Sequence, residues 1–445
     1  MSARLSRKSS AKKDFPFTTE GPPPRRLHQY FERQCDANPG ALALVCGTEQ
    51  LSYAELDARA NRLAHYLARR DVGTGNRVGL LVERSVDAYV ALLAALKCGA
   101  AYVPIDPSAP ADRIAFIAED AGLDLLLTTS KFRDVGVSCP VVAVDEAASA
   151  IAAMPATRRL DSQDDAPCYI IYTSGTTGRP KGVTITHFSI CNLLEVSRPI
   201  YGVKAGDRVY QGMTFSFDFS IEEVWHTLSA GGTLVAGPTD HRKLGGPLAE
   251  FLREHEITVL CCVPTLLATL PAEVPSLRTL IVGGESCPPE LVKRWSRPGL
   301  RMLNTYGPTE TTVTATWTEV RPDVPVTIGK PFPTYTIYIL DKDRRRLPDG
   351  EVGEICIGGP CVGVGYLNRA ELTQDRFVPD PFASEPDARL YRTGDLGRIL
   401  ADGDIEFLGR SDTQIKFRGY RMEPSEVEAV LLESPEVENA VVVPL

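Results

Sequence analysis

Short apolar runs alternate with amphipathic helical repeats through most of this chain, and that alternation restricts it to one fold class. Leu51-Ser-Tyr-Ala-Glu-Leu-Asp57 opens a helix, with Ser52 as N-cap and Glu55 in the capping-box position. Leu56, Ala60, Leu63 and Leu67 then recur at helical spacing. Arg77-Val-Gly-Leu-Leu-Val82 reads as a strand, a helix follows through Tyr89, Leu92, Leu93 and Leu96, and Ala101-Tyr-Val-Pro-Ile-Asp106 is the next strand. Strands at 124–128, 168–173, 233–236, 257–262 and 279–282 continue the series, with helical segments between most of them. Strands that alternate with helices predict an α/β fold with largely parallel sheets. The adjacent Cys261 and Cys262 fall inside one of these apolar runs and read as core.

Near residue 330 the pattern changes. Segments at 334–341, 351–358 and 404–408 are short and β-rich, with Asp-Gly turns at 349–350 and 402–403. A further unit begins around Gly409-Arg-Ser-Asp412, with a helix over 423–434 and a strand over 437–443. One helix and one strand do not make a domain, so 412–445 reads as the start of a small α+β C-terminal subdomain that is cut off. The expected organisation is a large core over 27–411, made of two α/β subdomains to about 330 and a β-rich subdomain over about 331–411. Residues 1–26 carry seven basic side chains against Asp14 and Glu20, with no apolar h-region, and read as a disordered basic arm rather than a secretory signal. A transit peptide is the weaker reading of the same segment.

Composition excludes several functions. No run of about 18 apolar residues occurs, which argues against a membrane-spanning helix. Forty-eight basic against fifty-seven acidic residues gives a net charge of −9, unsuited to nucleic acid or an anionic membrane. The eleven cysteines lack a C-x-x-C pair and fit reduced thiols in a cytoplasmic protein.

Three loops carry the chemistry. Tyr172-Thr-Ser-Gly-Thr-Thr-Gly-Arg-Pro-Lys-Gly182 follows an apolar strand and packs three glycines and four hydroxyls around Lys181. Glycines let the backbone approach a polyanion, and hydroxyls and a lysine add donors, so this is a phosphate cradle. It is not a Walker A loop, because Gly182 follows Lys181 where a Mg²⁺-binding Ser or Thr belongs. In Asn304-Thr-Tyr-Gly-Pro-Thr-Glu310, Tyr306 offers a stacking face and Thr309 and Glu310 offer oxygens for phosphate-bound Mg²⁺. In Tyr391-Arg-Thr-Gly-Asp-Leu396, Asp395 follows a tight turn, where a carboxylate can take both hydroxyls of a ribose. Each loop alone also fits an ordinary turn.

Together and in this order, the loops resemble the adenylate-forming superfamily, and most closely the amino-acid adenylation domains of non-ribosomal peptide synthetases. Leu51-Ser-Tyr-Ala-Glu-Leu, Leu96-Lys-Cys-Gly-Ala-Ala-Tyr-Val-Pro-Ile-Asp106, Gly353-Glu-Ile-Cys-Ile-Gly-Gly and Gly409-Arg-Ser-Asp-Thr-Gln-Ile-Lys-Phe-Arg-Gly419 extend the resemblance from about Leu27 to Leu445. Such domains bind ATP and Mg²⁺, let an amino-acid carboxylate attack the α-phosphate, release pyrophosphate, and pass the aminoacyl group to a carrier-protein phosphopantetheine. The resemblance implies that Thr173, Ser174, Gly175, Thr176, Thr177, Gly178 and Lys181 hold the β- and γ-phosphates. It implies Asn304 and Tyr306 at adenine, Thr309 at the α-phosphate, and Glu310 at Mg²⁺. Gly284, Gly307 and Phe407 would surround the nucleotide, and Asp395 and Arg410 would bind ribose. Asp412 would be the hinge of the C-terminal unit, with Lys416 reaching the ligand or thiol arm after rotation. The family's late catalytic lysine lies beyond residue 445. The carrier protein would be downstream or on another chain, and an MbtH-like protein is a further possible partner.

The same resemblance places Asp218 against the α-ammonium of an amino acid, which acyl-CoA and aryl-acid relatives do not need; a helix N-cap is the competing role. Phe219, Glu222, Thr265, Ile281, Gly283, Thr305, Val313 and Thr314 would line the side-chain pocket. A buried carboxylate facing a ligand requires a cationic or strongly donating partner. Glu222 therefore points to a basic side chain, with a hydroxylated or amide side chain as the other reading and a solvent-facing Glu222 as the alternative to both. An acyl- or aryl-CoA ligase and a non-catalytic nucleotide-binding module remain the competing functions.

Overall fold

The computed structural model describes residues 23–159, 166–175, 179–271, 273–412, 414–417, 420–432, 437 and 439–442. Two large sheets and one smaller sheet organise them. In the nine-stranded sheet, Arg301–Tyr306, Thr279–Gly283, Val259–Cys262, Arg208–Gln211, Thr233–Ala236 and Leu42–Cys46 run parallel in that order. Antiparallel strands close its two sides: Thr316–Glu319 with Lys330–Pro331 beyond it on one, and Glu49–Ser52 on the other. The seven-stranded sheet pairs Lys181–Thr186, Pro167–Thr173, Ala101–Pro104, Arg77–Leu81, Leu125–Thr128 and Val141–Ala143, with Gly365–Tyr366 added at one edge. The α/β class and the expected strands through residue 283 are therefore present, each within two residues of its expected position.

The central strands are buried on both faces, which explains their unbroken apolar runs. Cys261 and Cys262 are core residues, and all eleven cysteines are free thiols. The expected capping box forms: the Ser52 hydroxyl accepts from the Glu55 amide at 3.2 Å, and the Ser52 amide donates to the Glu55 carboxylate at 2.8 Å. That arrangement satisfies two N-terminal donors of the helix Tyr53–Ala68.

The β-rich segment forms an antiparallel sheet, Thr336–Leu340, Gly353–Gly358, Arg389–Ile399 and Phe377–Pro379, with Ile405–Arg410 on the long strand. Gly350 and Gly403 take positive φ in the two Asp-Gly turns, as such turns require. The sheet is stitched to the α/β core, because Gly365–Tyr366 returns to the seven-stranded sheet. Beyond it, Ile415–Phe417 and Tyr420–Met422 form a hairpin and Pro424–Leu432 a helix. The strand expected over 437–443 is not formed at 439–442, where no neighbouring strand among the described residues offers a ladder.

The basic arm lies outside the described residues except at its end. Arg26, assigned to that arm on charge alone, is buried. Its backbone caps the helix Leu27–Ala37, and the Leu27 amide donates to His187 Nδ1 at 3.1 Å. Among the described residues no helix is long and apolar enough to cross a membrane.

Candidate active site

The strand Pro167–Thr173 and the strand Lys181–Thr186 form a hairpin in which Thr173 pairs with Lys181, so the glycine- and hydroxyl-rich loop is its connection. The Thr173 and Ser174 hydroxyls are buried and accept or donate no hydrogen bond among the described residues. Buried hydroxyls without a partner are costly unless a ligand completes them, which fits a phosphate cradle. Gly175 leads out of the strand; Thr176, Thr177 and Gly178 lie outside the described residues.

Lys181 is buried rather than reaching into solvent. Its ammonium lies 3.7 Å from Glu310 and donates to the Tyr366 hydroxyl at 3.2 Å. Glu310 is fully buried in the single turn Thr309–Thr311, which Gly307-Pro308 introduces. Thr309 is half-buried beside it. After this turn Thr312 and Val313 both take positive φ, near 62° and 66°, a conformation that costs β-branched residues energy and recurs at functional sites. The reversal brings the chain back over Gly307, where an added Cβ would stand 2.6 Å from Thr314 Cα. Gly307→Ala is accordingly expected to destabilise the protein by about 2 kcal/mol, a drop of a few degrees in Tm. An unchanged thermal melt would contradict this packing.

The residues expected at the nucleoside are held just as closely. Asn304 donates from Nδ2 to the Thr327 carbonyl at 2.8 Å, while its buried Oδ1 has no donor among the described residues. An adenine amine is the kind of donor that oxygen lacks. Tyr306 donates to Asp395 Oδ2 at 2.5 Å, and its ring lies 6.1 Å from that of Phe407. Arg410 Nη1 donates to Asp395 Oδ1 at 2.5 Å, and the same guanidinium clamps Asp412 at 2.6 and 2.7 Å. Burial opposes ionisation of Asp412, but the Arg410 clamp prevails and holds its carboxyl below the usual range. The residues assigned to ribose and hinge are thus joined through one guanidinium. Gly284 takes positive φ at the end of the strand Thr279–Gly283. Lys416 is on the strand Ile415–Phe417, and its side chain lies outside the described atoms.

Asp218 stands at the N-cap of the helix Phe219–Ala230, but its side chain makes no cap hydrogen bond and is 6% exposed. One turn further, Glu222 is 1% exposed, so it does not face solvent. Its Oε1 accepts from the Tyr201 hydroxyl at 3.0 Å and from the Thr314 hydroxyl. Its Oε2 is buried and has no donor among the described residues. Burial pushes the Glu222 carboxyl up to about 8; the two hydroxyls pull it down, and Asp218 and Glu223 push it further up. The neighbouring Glu223 is different in kind: it accepts from the Gly212 and Met213 amides and from Gln211, a structural role.

Strand register brings most of the expected pocket together. Gly283 pairs with Thr305 and Ile281 with Leu303, which sets Ile281, Gly283 and Thr305 on one face. A Cβ on Gly283 would lie 3.5 Å from the Phe219 ring, and Val313 and Thr314 are buried nearby in the chain. Thr265 lies on no strand of this face. It is exposed on the helix Pro264–Thr269, donates its amide to Glu285 at 3.1 Å, and borders a separate hollow of about 320 Å³ with Ser286, Leu291 and Arg294. Cys261, directly opposite Ile281 in parallel register, lies on the same sheet face, and burial, Glu223 and Glu222 all push its thiol up. That register was the available signal for Cys261. Tyr201 and Tyr366 lie in no motif and had none.

Mg²⁺ fits the donor set. It takes oxygen ligands and usually binds through one or two carboxylates plus substrate phosphates, and Glu310 supplies such a carboxylate beside the phosphate hairpin. No cluster of three His, Cys, Asp or Glu that could cage an ion occurs among the described residues.

Comparison with known proteins places the chain in a family. The AMP-binding enzyme family model matches residues 31–367. A linear gramicidin synthase of Brevibacillus parabrevis is 45% identical over 94% of this chain, which spans only 5% of that protein. A crystal structure of the nonribosomal peptide synthetase FmoA3 in its α-methyl-L-serine-AMP-bound form has a TM-score of 0.81 and 33% identity, covering 87% of this chain and 45% of that one. An artificially fused adenylation–PCP di-domain, NpsA-ThdA from Klebsiella oxytoca, has a TM-score of 0.84 and 26% identity, covering 93% and 84%.

Proposed function

The chain belongs to the AMP-binding enzyme family, as an adenylation domain of the nonribosomal peptide synthetase type, and we propose that it activates an amino acid whose side chain is cationic. The reaction joins the substrate carboxylate to the α-phosphate of ATP, giving an aminoacyl-AMP and pyrophosphate. A carrier-protein phosphopantetheine thiol is the proposed acceptor, and the likeness to a fused adenylation–carrier di-domain supports that partner.

The single observation behind the substrate class is Glu222 Oε2, a carboxylate oxygen buried without a donor one helical turn from Asp218. Two buried carboxylates suit a ligand with two positive charges, such as ornithine, lysine, diaminobutyrate or an arginine derivative. Asp218 pairs with the α-ammonium and Glu222 with the side chain, and each charge would be expensive to bury alone. Asn304 and Tyr306 receive the adenine, Asp395 and Arg410 the ribose, and Lys181 the triphosphate. Bound Mg²⁺ supplies neutralisation of phosphate charge. Adenylyl transfer depends on such positioning and charge stabilisation more than on covalent catalysis.

The pH dependence follows from Glu222. Its carboxyl titrates near 8 in the folded protein against an ordinary 4.5, so the ligand-free pocket is protonated at neutral pH. The groups around it are the Tyr201 and Tyr335 phenols, the Cys261 thiol and the Asp218 and Glu223 carboxylates; His226, behind Tyr201, is held neutral by burial. A cationic ligand must displace the proton. Its affinity is expected to rise about tenfold per pH unit from 6 to near 8 and then level off. Stability moves the other way: a raised carboxyl contributes fully below 4.5 and loses that contribution as pH climbs to 8. Glu223, pushed up to about 7, adds a slope of the same sign. Glu222→Gln should therefore raise Tm at pH 8 relative to pH 5. Affinity for a non-hydrolysable ornithyl-sulfamoyl adenosine, measured by calorimetry across this range, tests the assignment; a flat profile contradicts it.

A further inference from the structure

Tyr366 belongs to none of the motifs described above, yet its hydroxyl is where the phosphate-hairpin lysine and the Glu310 carboxylate meet. That hydroxyl donates to Glu310 Oε1 at 2.7 Å and accepts from Lys181 Nζ at 3.2 Å. Lys181 and Glu310 themselves are 3.7 Å apart, too far for a direct hydrogen bond. The lysine ammonium also lies 4.3 Å from the centre of the Tyr366 ring, within cation–π range. All three side chains are buried.

The placement is rigid. Tyr366 pairs with Val183, two residues along the strand that starts at Lys181, so tyrosine and lysine ride on one ladder. Phe377 packs edge-on against the tyrosine ring at 5.3 Å, and the Tyr391 hydroxyl stands 3.2 Å from that of Tyr366. A buried ammonium and a buried carboxylate would otherwise close into a direct pair, which an incoming triphosphate would have to break. The hydroxyl holds them apart and fixes the plane of the carboxylate in advance.

Building on the adenylation reading, we propose that Tyr366 is a positioning residue for the triphosphate: its hydroxyl keeps Lys181 and Glu310 spaced and oriented to receive the β- and γ-phosphates and their Mg²⁺. AMP, which lacks those phosphates, does not need it. The proposal assigns Tyr366 no contact with the reacting atoms.

The test is calorimetric binding of Mg²⁺·AMPPNP and of AMP to the whole chain and to Tyr366→Phe, which deletes only the hydroxyl. The expected result is a roughly tenfold loss of Mg²⁺·AMPPNP affinity, with AMP affinity kept within twofold. Equal Mg²⁺·AMPPNP affinity in parent and variant overturns the proposal. A parallel weakening of both ligands alongside a lowered Tm also overturns it, since that signature belongs to a structural residue. Should Tyr366→Phe fail to fold, Tyr391→Phe carries the test. A selective loss of about threefold for Mg²⁺·AMPPNP then supports the bridge, and no selective loss overturns it. If the parent chain binds neither nucleotide, the adenylation reading itself falls and takes this proposal with it.

Discussion

Asp218→Asn is expected to lower affinity for a cationic aminoacyl-sulfamoyl adenosine by about a thousandfold while AMP affinity stays at the parent level. Asp218 is buried and makes no cap bond to its helix, so capping does not account for the carboxylate at this position. An amino-acid ammonium entering this pocket loses its water and needs a formal charge to replace it. Removing one partner of a buried ion pair typically costs about 3–5 kcal/mol, because the remaining charge is left uncompensated. Folding should not suffer, since asparagine is nearly isosteric with aspartate and replaces a buried carboxylate that makes no cap bond with a neutral group. A loss below about tenfold, with the fold intact, would return Asp218 to a structural role.

Glu222→Gln carries the second large effect. Glutamine preserves the bonds from Tyr201 and Thr314 through its carbonyl oxygen but cannot supply a negative charge. Discrimination between an ornithyl and a norvalyl sulfamoyl adenosine should fall about a hundredfold, mostly through weaker binding of the ornithyl ligand. A hydroxylated or amide substrate would produce the opposite pattern, with little change for the cationic ligand and weakened binding of the neutral polar one. The two readings of the pocket therefore separate in a single variant.

Local signals in the sequence carried the frame of this fold, while contacts distant in sequence carried much of the site. The Ser52–Glu55 capping box, the apolar strands and the Asp-Gly turns depend on neighbours within a few residues, and all three are present in the structure. Lys181 meeting Tyr366 spans 185 residues, and Glu222 meeting Thr314 spans 92. No periodicity or spacing encodes such meetings; they follow from which strands become neighbours. Thr265 shows the same limit from the other side. It lies only four positions from Cys261, yet the chain turns from strand to helix between them, and the strand residue shares the face of Ile281 and Gly283. Charge counting likewise placed Arg26 in a solvated arm, whereas the helix it caps buries it.

The most direct measurement is a thermal-shift panel of non-hydrolysable aminoacyl-sulfamoyl adenosines bearing cationic, hydroxylated, amide and apolar side chains. A ligand at about 100 times its Kd should add roughly 2.7 kcal/mol of apparent stability, a shift of a few degrees or less for a chain this long. The account predicts that a diamino or guanidino analogue stabilises the protein well above the others, and that Glu222→Gln removes the difference. Equal stabilisation by every analogue, or preference for an apolar one, would contradict a cationic substrate; a response to none would contradict adenylate binding altogether.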